Sequence, residues 1–396
     1  MEQKNGYQKN IVFLGLVSFW SGLSQDMINS IFPIFLGSLG FTKEFIGFLS
    51  GLVTSVSSIF KILAGYISDK LRHRKWIVFI GYAFSVITRP FLGVWSSRAQ
   101  IIGLRFTDAA GKGVKDAPRD ALVAESSSAK KTGRSFGLHR MLDTFGSVAG
   151  PLVVVLLLKI FGESIASYKK IFLLTAVPGA IALFILAFFV RETVKLKSTA
   201  EPISLKKSLT GISGDFYFLL FVIIIFSLGN STDAFLLLRA QNLGLSIIAI
   251  PLVYAAFYFF YAILSYPIGI LSDRIGKKTM IIAGWGVYGL TYLGFAFANR
   301  AWQVWPLFIF YGLFYAATEG SGRALTADIV KPAYHGLAFG LYNTAIAVTA
   351  LPASIFAGYL WDRYSPAAAF DLGWITAVLA IIIFGVYSVV RNKKLR

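Results

Sequence analysis

Long apolar segments separated by short polar breaks run along almost the whole chain. Each segment has roughly 20 to 28 residues, and about 20 apolar residues are enough for a helix to span the hydrocarbon core of a bilayer. A membrane β-barrel would instead show segments of about ten residues with alternating polarity. The runs 153–158 and 221–226 are continuously apolar. Since the chain is 56% hydrophobic and only 14% charged, the sequence predicts an all-α membrane protein.

Twelve membrane-spanning helices are predicted from the polar breaks. No small-residue cleavage site follows the polar first ten residues, so we expect the first helix to act as the insertion signal. The predicted spans are 10–38, 45–68, 76–95, 99–125, 135–160, 170–190, 216–240, 246–271, 280–298, 302–329, 337–361 and 369–390.

The net charge of +19 could indicate a nucleic-acid-binding protein, but its distribution argues against this class. With the helices placed as above, most lysines and arginines of the loops fall on one side of the membrane. This bias follows the positive-inside rule and predicts a multi-pass protein of the cell inner (plasma) membrane with both termini cytoplasmic. The chain has no cysteine, which excludes disulfides, thiolate metal sites and cysteine nucleophiles. No cofactor or metal is predicted.

The chain also contains an internal repeat. The polar stretch 191–215 is predicted to be a cytoplasmic linker between a six-helix half, 1–190, and a second half, 216–396. Three ordered segment pairs match at offsets of 203 or 204 residues: 65–70 with 269–274, 120–125 with 323–328, and 135–138 with 338–341. These matches indicate a duplicated unit, with a substrate site near the midplane between the two copies.

Two of these segments carry a family resemblance. Segment 65–75, Gly-x-x-x-Asp-Lys-x-x-x-Arg-Lys, resembles the loop signature between the second and third helices of the major facilitator superfamily (MFS). Segment 269–278, Gly-x-x-x-Asp-Arg-x-Gly-Lys-Lys, resembles the second-half copy of that signature. The resemblance covers nearly the whole chain and implies the MFS fold, with 12 transmembrane helices in two pseudo-symmetric six-helix bundles.

Three further segments are similar to motifs of this family. Segment 105–111 resembles its fourth-helix arginine motif, although Asp108 stands where glutamine is common. Segment 146–151, Gly-Ser-Val-Ala-Gly-Pro, resembles the fifth-helix motif of proton-coupled antiporters, but its glycine spacing is also typical of close helix packing. Segment 111–122 is similar to prokaryotic permeases of unassigned substrate, and this similarity implies no particular transported compound.

The fourth helix carries an unusual row of charges, which we call the fourth-helix stripe. Its members are spaced so that they share one helix face: Arg105, Asp108, Lys112, Lys115 and Arg119. A charge at the centre of a membrane helix costs roughly 2.5 to 3.5 kcal/mol on insertion scales, so this face cannot contact lipid. Substrate or proton contact is one interpretation. Internal pairing of Asp108 with Lys112, and of Asp116 with Lys112 or Arg119, is the other.

Asp26 in the first helix is predicted to take part in proton coupling, because a carboxylate in a low-dielectric site binds a proton more readily than one in water. A permanent ion pair of Asp26 with Lys61 or Arg89 is the alternative. Lys61, Arg89 and Asp143 are also candidates for substrate or proton contact. Asp143 lies on the fifth helix beside His139, and its pairing with Arg140 is the alternative. The second half supplies further candidates for substrate or proton contact: Asp233, Arg239, Glu319 and Arg323. Aromatic residues at helical spacing near Tyr258 are interpreted as packing.

The cytoplasmic ends of several helices carry acidic and basic residues in both halves. They are Asp69, Arg74, Glu125, Asp273, Arg274 and Asp328. The family resemblance implies that these residues form a cytoplasmic gate of salt bridges that hold the outward-facing state and break on inward opening. Anchoring by the positive-inside rule together with helix capping is the alternative.

These observations favour a secondary active transporter that works by alternating access. No Walker phosphate-binding loop occurs, which favours the proton gradient as the energy source. A receptor or scaffold has no reason to keep charges within the membrane, and an enzyme would need a convergent set of reactive groups. The antiporter-like fifth helix favours export. The basic fourth helix favours an anionic or zwitterionic small-molecule substrate. Multidrug or lipophilic-cation efflux and proton-coupled uptake remain alternatives, and a monomer is expected.

Overall fold

The computed structural model describes residues 2–71, 73–127, 132–192, 210–331 and 334–394, apart from the side chains of 2–8, 69–71, 132–134, 335–336 and 389–394. In chain order, the membrane helices are α1 (Glu2–Asn29 and Phe32–Ser38), α2 (Lys43–Leu71), α3 (Arg74–Phe91), α4 (Arg98–Glu125), α5 (Thr132–Phe161), α6 (Ile165–Leu174 and Ala176–Phe188), α7 (Gly214–Gly229 and Ala234–Asn242), α8 (Ala249–Ile275), α9 (Lys277–Phe297), α10 (Val304–Ile329), α11 (His335–Arg363) and α12 (Pro366–Lys394). Each of the twelve predicted helices is found as a helix at its predicted place. The described residues contain no strand.

Three of these helices are interrupted, which the sequence analysis did not predict. Pro33 and Pro178 lie in the first turn of the second pieces of α1 and α6, where proline fits because the first amides of a helix have no intrahelical acceptor. The break in α7 covers 230–233, a polar segment without proline. The α1 and α7 breaks fall at matching positions of the repeat.

Among the described residues, nine spans are long and apolar enough to cross a membrane by length and composition. The helices α3, α4 and α10 fall short of this criterion. Large apolar side chains are nevertheless exposed on the surface, as at Ile59, Leu63 and Tyr66 of α2. Such a surface is unusual for a protein in water and suits contact with lipid chains.

The helices form two compact units. Unit 1 comprises Met1–Phe41, Leu52–Ser198 and Ser246–Tyr258, and unit 2 comprises Thr42–Gly51, Thr199–Leu245 and Phe259–Arg396. The beginning of α2 therefore belongs to unit 2, where Gly47 and Gly51 pack against the backbone of α11. Most of the predicted linker, 191–215, lies outside the described residues, and the boundaries of the two halves stay a prediction.

In unit 1, glycines allow α4 to pack closely against two neighbours. A Cβ atom on Gly111 would lie 2.6 Å from the carbonyl oxygen of Gly81 in α3. A Cβ atom on Gly113 would lie 2.3 Å from the carbonyl oxygen of Ser57 in α2. Because α4 is one continuous helix despite Pro118, these glycines serve close packing, and Lys112 lies between the two contacts.

Candidate functional site

Asp108 is the centre of a buried charge cluster in unit 1. Its carboxylate receives Arg89 Nε at 3.1 Å and Arg105 Nη1 at 3.3 Å. Only 1% of Arg89, 7% of Arg105 and 6% of Asp108 is exposed. The three side chains together carry a net positive charge in a region of low dielectric.

Arg89 uses its remaining donors to hold α1. Its Nη1 donates to the carbonyl oxygen of Ser21 at 3.2 Å and faces Ser24 Oγ at 3.4 Å, while Nη2 donates to Gln25 Oε1 at 3.2 Å. Arg105 makes fewer hydrogen bonds. Its guanidinium lies 4.9 Å from the ring centroid of Phe32, and its buried Nε makes no hydrogen bond to any described residue.

The part of the fourth-helix stripe nearer the end of α4 is paired internally. Lys115 Nζ lies 3.3 Å from Asp116 and 4.6 Å from the ring centroid of Tyr82. Arg119 contacts Asp116 at 3.6 Å and Asp120 at 3.2 Å. The predicted burial of the stripe is confirmed, since all of its residues are buried or half-buried.

Lys112 differs from the other cations of the stripe. Its charge acts on Asp26, Asp108 and Asp116. It makes no ion pair and no hydrogen bond within the part of the chain that the structure describes. Lys112 is therefore a half-buried cation surrounded by carboxylates that are held by other groups.

Asp26 lies on α1 where this helix meets α5. Its carboxylate accepts a hydrogen bond from Asn29 Nδ2 at 2.8 Å, and Ser147 of α5 lies close enough to interact with it. Ser147 belongs to segment 146–151, whose Gly146 and Gly150 pack directly on the α1 backbone. The motif thus provides close packing and also brings a hydroxyl to Asp26.

Two of the predicted pairings are wrong. Asp108 pairs with Arg89 of the neighbouring helix and with Arg105 one turn earlier on its own helix, so both of its carboxylate oxygens are occupied and it does not pair with Lys112. Asp26 pairs with neither Arg89 nor Lys61, since Asp108 already binds Arg89.

Other predictions of pairing are confirmed. Asp116 contacts Arg119, and Arg140 lies 3.6 Å from Asp143. Lys61 is close enough for its charge to act on Asp116. His139 does not join the charged cluster directly, because its Nε2 forms a 2.8 Å hydrogen bond with Ser18.

Unit 2 contains a second site, at the break in α7. Tyr311 of α10 donates to Asp233 Oδ1 at 2.6 Å, and Tyr315, one turn later on α10, lies close enough to interact with this carboxylate. Tyr288 of α9 donates to the carbonyl oxygen of Gly229 at 3.0 Å, on the other side of the break. The ring of Tyr292 stacks on Tyr288 with centroids 4.1 Å apart. We call Asp233 and these four tyrosines the α7 tyrosine cluster.

The other candidates of unit 2 do not meet Asp233. Arg239 donates to the carbonyl oxygens of Phe295, Ala296 and Ala298, and so caps the end of α9. Glu319 accepts from Tyr261 and pairs with the exposed Arg323 at 3.1 Å.

The gate candidates form equivalent pairs in the two units. Arg74 contacts Glu125 at 2.9 Å, and Lys277 contacts Asp328 at 2.6 Å. Each pair joins neighbouring helices of one unit. Asp273 and Arg274 are exposed, and the side chain of Asp69 lies outside the described residues. The gate itself stays a prediction.

Sequence reasoning missed the tyrosines around Asp233 and the polar groups of α1 that receive Arg89. Two signals were available. Tyrosines recur four residues apart at 288 and 292 and again at 311 and 315, which places each pair on one helix face. Segment 230–233, Asn-Ser-Thr-Asp, is an unusually polar interruption of an apolar helix.

The two sites favour different ligands. In unit 1, Lys112 makes no ion pair of its own among the described residues and Arg105 keeps an unbonded N–H donor, which suits an acidic group. In unit 2, a carboxylate is surrounded by phenol rings. The described residues include no group of three or more His, Asp or Glu side chains that could hold a metal ion.

Comparisons with known proteins agree with this architecture. The sequence profile of the Major Facilitator Superfamily matches residues 14–238 and again residues 217–396. An uncharacterized MFS-type transporter of Methanocaldococcus jannaschii is 34% identical over 385 residues, which are 96% of this chain and 95% of the relative. The multidrug resistance protein MdtG of Proteus mirabilis is 24% identical over 357 residues, with 87% of each chain covered.

Solved structures show the same fold at low sequence identity. A POT family transporter in complex with 5-aminolevulinic acid superimposes with a TM-score of 0.80 at 13% identity, covering 97% of this chain and 96% of the other. The nucleoside transporter NupG gives a TM-score of 0.80 at 14% identity, covering 95% of this chain and 99% of the other.

Proposed function

Because the chain belongs to the Major Facilitator Superfamily, we propose that this multi-pass membrane transporter exports a small organic solute in exchange for protons by alternating access. We further propose that the solute is anionic or zwitterionic. The protein would act as a monomer in the cell inner membrane with both termini cytoplasmic, as the distribution of Lys and Arg between the loops suggests.

The proposed substrate class rests on Lys112, which makes no ion pair and no hydrogen bond among the described residues. A charged ammonium group without a partner in a low-dielectric region is costly, so a ligand that supplies a negative charge is stabilised there. Arg105, about two turns away on the same helix face, offers an unused Nε–H donor. A carboxylate or phosphate group that binds both cations would satisfy them together.

Proton coupling rests on Asp26. This carboxylate is buried and is held by neutral donors, Asn29 and Ser147, without a basic partner at ion-pair distance among the described residues. Such a group can exist with or without its proton. Since the charge of Lys112 acts on Asp26, binding of an acidic solute at Lys112 would change the proton affinity of Asp26.

The first experiment measures binding. Purified protein in mild detergent is screened for thermal stabilisation by carboxylates, phosphate esters, amino acids and lipophilic cations, because a ligand that binds the folded state raises its apparent stability. We expect acidic or zwitterionic compounds to stabilise the wild type. Lys112→Gln should weaken their binding about tenfold or more, as expected for the loss of a charge-assisted contact.

Lys159→Gln is the matched control, because Lys159 is an exposed lysine near the end of α5 in the same unit. It should leave binding unchanged. Equal binding by wild type and Lys112→Gln would overturn the assignment of Lys112.

The second experiment measures coupling. Proteoliposomes enclosing a pH-sensitive dye receive a stabilising compound from outside. Exchange predicts that the lumen becomes alkaline as solute enters and protons leave, whichever way the protein is inserted. An acidified lumen would show symport, and solute entry without any pH change would show facilitated diffusion.

Multidrug efflux is the second candidate. The relatives named MdtG and MdtH, both 24% identical to this chain, are multidrug resistance proteins. Stabilisation by lipophilic cations alone, with Lys112→Gln behaving like the wild type, would favour this function over export of an acidic solute.

A further inference from the structure

The α7 tyrosine cluster lies at a point where the membrane helix is unwound. The helical pieces end at Gly229 and resume at Ala234. Tyr288 and Tyr311, from α9 and α10, bind one group on each side of the break. Tyrosine hydroxyls thus bind the unwound segment on both sides, and Asp233 is the N-cap residue directly before the second helical piece.

Asp233 has no basic partner within the described residues of its unit. Its hydrogen-bond partner Tyr311 and the nearby Tyr315 are neutral. The basic residues on its own helix and on α10 are engaged elsewhere, since Arg239 caps α9 and Arg323 binds Glu319. A carboxylate without a counter-ion in such surroundings is costly, and this cost is relieved by a proton or by a bound cation.

The groups around Asp233 are suited to an organic cation. The ring centroids of Tyr311 and Tyr315 lie 5.2 Å apart, and those of Tyr292 and Tyr311 lie 6.3 Å apart. Aromatic faces attract ammonium groups through the ring quadrupole. A metal ion would need more oxygen ligands of high charge than one carboxylate and neutral phenols provide.

Tyr292 supplies an independent observation. It is fully buried. Its hydroxyl lies near Ser231, Tyr288 and Tyr311, yet the geometry is unsuitable for a normal hydrogen bond to any of them. A buried hydroxyl without a partner is uncommon, and a ligand N–H group at Asp233 would provide one.

We infer that Asp233, Tyr292, Tyr311 and Tyr315 form a binding site for the ammonium group of an organic solute. Asp233 accepts the charge-assisted hydrogen bond, and the tyrosine rings surround the alkyl carbons next to the nitrogen. The inference rests on the proposed function for its role in transport, and within the proposed class of anionic or zwitterionic solutes it selects the zwitterions, which carry an ammonium group.

The test measures binding alone, so that it does not depend on transport. The full-length protein in detergent is titrated with n-butylammonium and choline, and with n-butanol as the uncharged counterpart of butylammonium. We expect saturable thermal stabilisation by the two cations but not by butanol. Asp233→Asn should weaken cation binding about tenfold or more, and Tyr292→Phe should weaken butylammonium binding more than choline binding, because choline has no N–H donor.

Asp215→Asn is the matched control. Asp215 lies in the first turn of the same helix and also accepts a hydrogen bond from a tyrosine, Tyr387. This variant should bind the cations like the wild type. Equal stabilisation of wild type and Asp233→Asn would overturn the inference, and so would stabilisation by low pH without any effect of cations, which would make Asp233 a protonation site only.

The cation titration and the proteoliposome assay together separate this inference from the proposed function. If cations bind through Asp233 but the proteoliposomes show no proton exchange, the ammonium site stands and the exchange mechanism fails. If proton exchange occurs with acidic solutes while Asp233→Asn has no effect on cation binding, the exchange mechanism stands and the ammonium site fails.

Discussion

Arg89 and Arg105 share one carboxylate but differ in what else they bind. Arg89 joins three helices, since it reaches Asp108 on α4 and the serines and glutamine of α1 from its own place on α3. Arg105 binds Asp108 on its own helix and keeps one N–H group unbonded. We therefore assign Arg89 to anchoring and keep Arg105 as a candidate for substrate contact.

This difference predicts unequal losses of stability. Arg89→Met should lower the free energy of unfolding by about 3–5 kcal/mol, because it breaks a buried pair and leaves acceptors on α1 unsatisfied. Arg105→Met should cost less, about 1–2 kcal/mol, because Asp108 keeps Arg89. Unfolding in mixed micelles with increasing SDS measures both variants. Equal losses would show that Arg89 has no special anchoring role.

For individual residues, the sequence predicted that the fourth-helix stripe is buried but not all of the partners of its charges. Spacing along a helix identifies possible pairs on the same helix; the pair of Arg140 with Asp143 is confirmed, whereas the pair of Asp108 with Lys112 is not formed. Arg89 and Asp108 lie on different helices, so their contact depends on how α3 and α4 rotate relative to each other. The rotation of one helix relative to another cannot be predicted from a single sequence.

The position of α4 depends on two glycines that face different neighbours. Gly111 contacts α3, and Gly113 contacts α2. Their close approach brings the fourth-helix stripe against α3, where Arg89 and Tyr82 receive Asp108 and Lys115. Gly103, on the same helix, has no atom within 4 Å of the place where a Cβ atom would lie.

These surroundings predict opposite results for two identical substitutions. Gly113→Ala should lower the free energy of unfolding by about 1–3 kcal/mol, because the added methyl group overlaps α2. Gly103→Ala should be neutral or stabilising, by up to about 1 kcal/mol, because alanine favours a helix more than glycine does. The SDS unfolding assay compares the two. A loss at Gly103 as large as that at Gly113 would contradict the packing argument.

Hydropathy predicted the twelve helices but not the breaks in α1, α6 and α7. An apolar segment has the same hydropathy whether or not one of its turns is unwound. Pro33 and Pro178 were visible in the sequence, yet a proline is also tolerated within a membrane helix, as Pro90 and Pro151 are here. The α7 break depends on hydrogen bonds from Tyr288 and Tyr311, which lie 55 or more residues later in the chain.

Across the whole molecule, the repeat preserves a contact as well as a sequence pattern. The pair Arg74–Glu125 joins the beginning of α3 to the end of α4, and Lys277–Asp328 joins the beginning of α9 to the end of α10. The positions differ by the same repeat offset. The side chains of the first pair are 8% and 20% exposed, and those of the second are 24% and 54% exposed.

The difference in exposure predicts different coupling energies. A double-mutant cycle with Arg74→Met and Glu125→Gln should give a coupling of about 1–3 kcal/mol. The corresponding cycle with Lys277→Met and Asp328→Gln should give less than about 1 kcal/mol, because water screens an exposed pair. Each cycle compares the free energy of unfolding, measured by SDS titration, of the wild type, the two single variants and the double variant. A stronger coupling in the second pair would contradict the ranking.

The sequence repeat predicted the duplicated architecture because both copies keep their charged loops at a constant offset. It did not predict that 42–51 would pack with unit 2 and 246–258 with unit 1. Those assignments depend on surface fit, such as that of Gly47 against the backbone of α11. Repeat matching compares the two halves and carries no information about such fit.

The weak apolar character of α3 and α4 has a consequence for biogenesis. A translocon releases a segment into lipid according to its hydrophobicity, and the charges of α4 oppose this release. Arg89 and Asp108 neutralise each other across these two consecutive helices, whose backbones meet at Gly81 and Gly111. We therefore expect α3 to stay at the translocon until α4 has been synthesised, and the two helices to enter the membrane together as a hairpin.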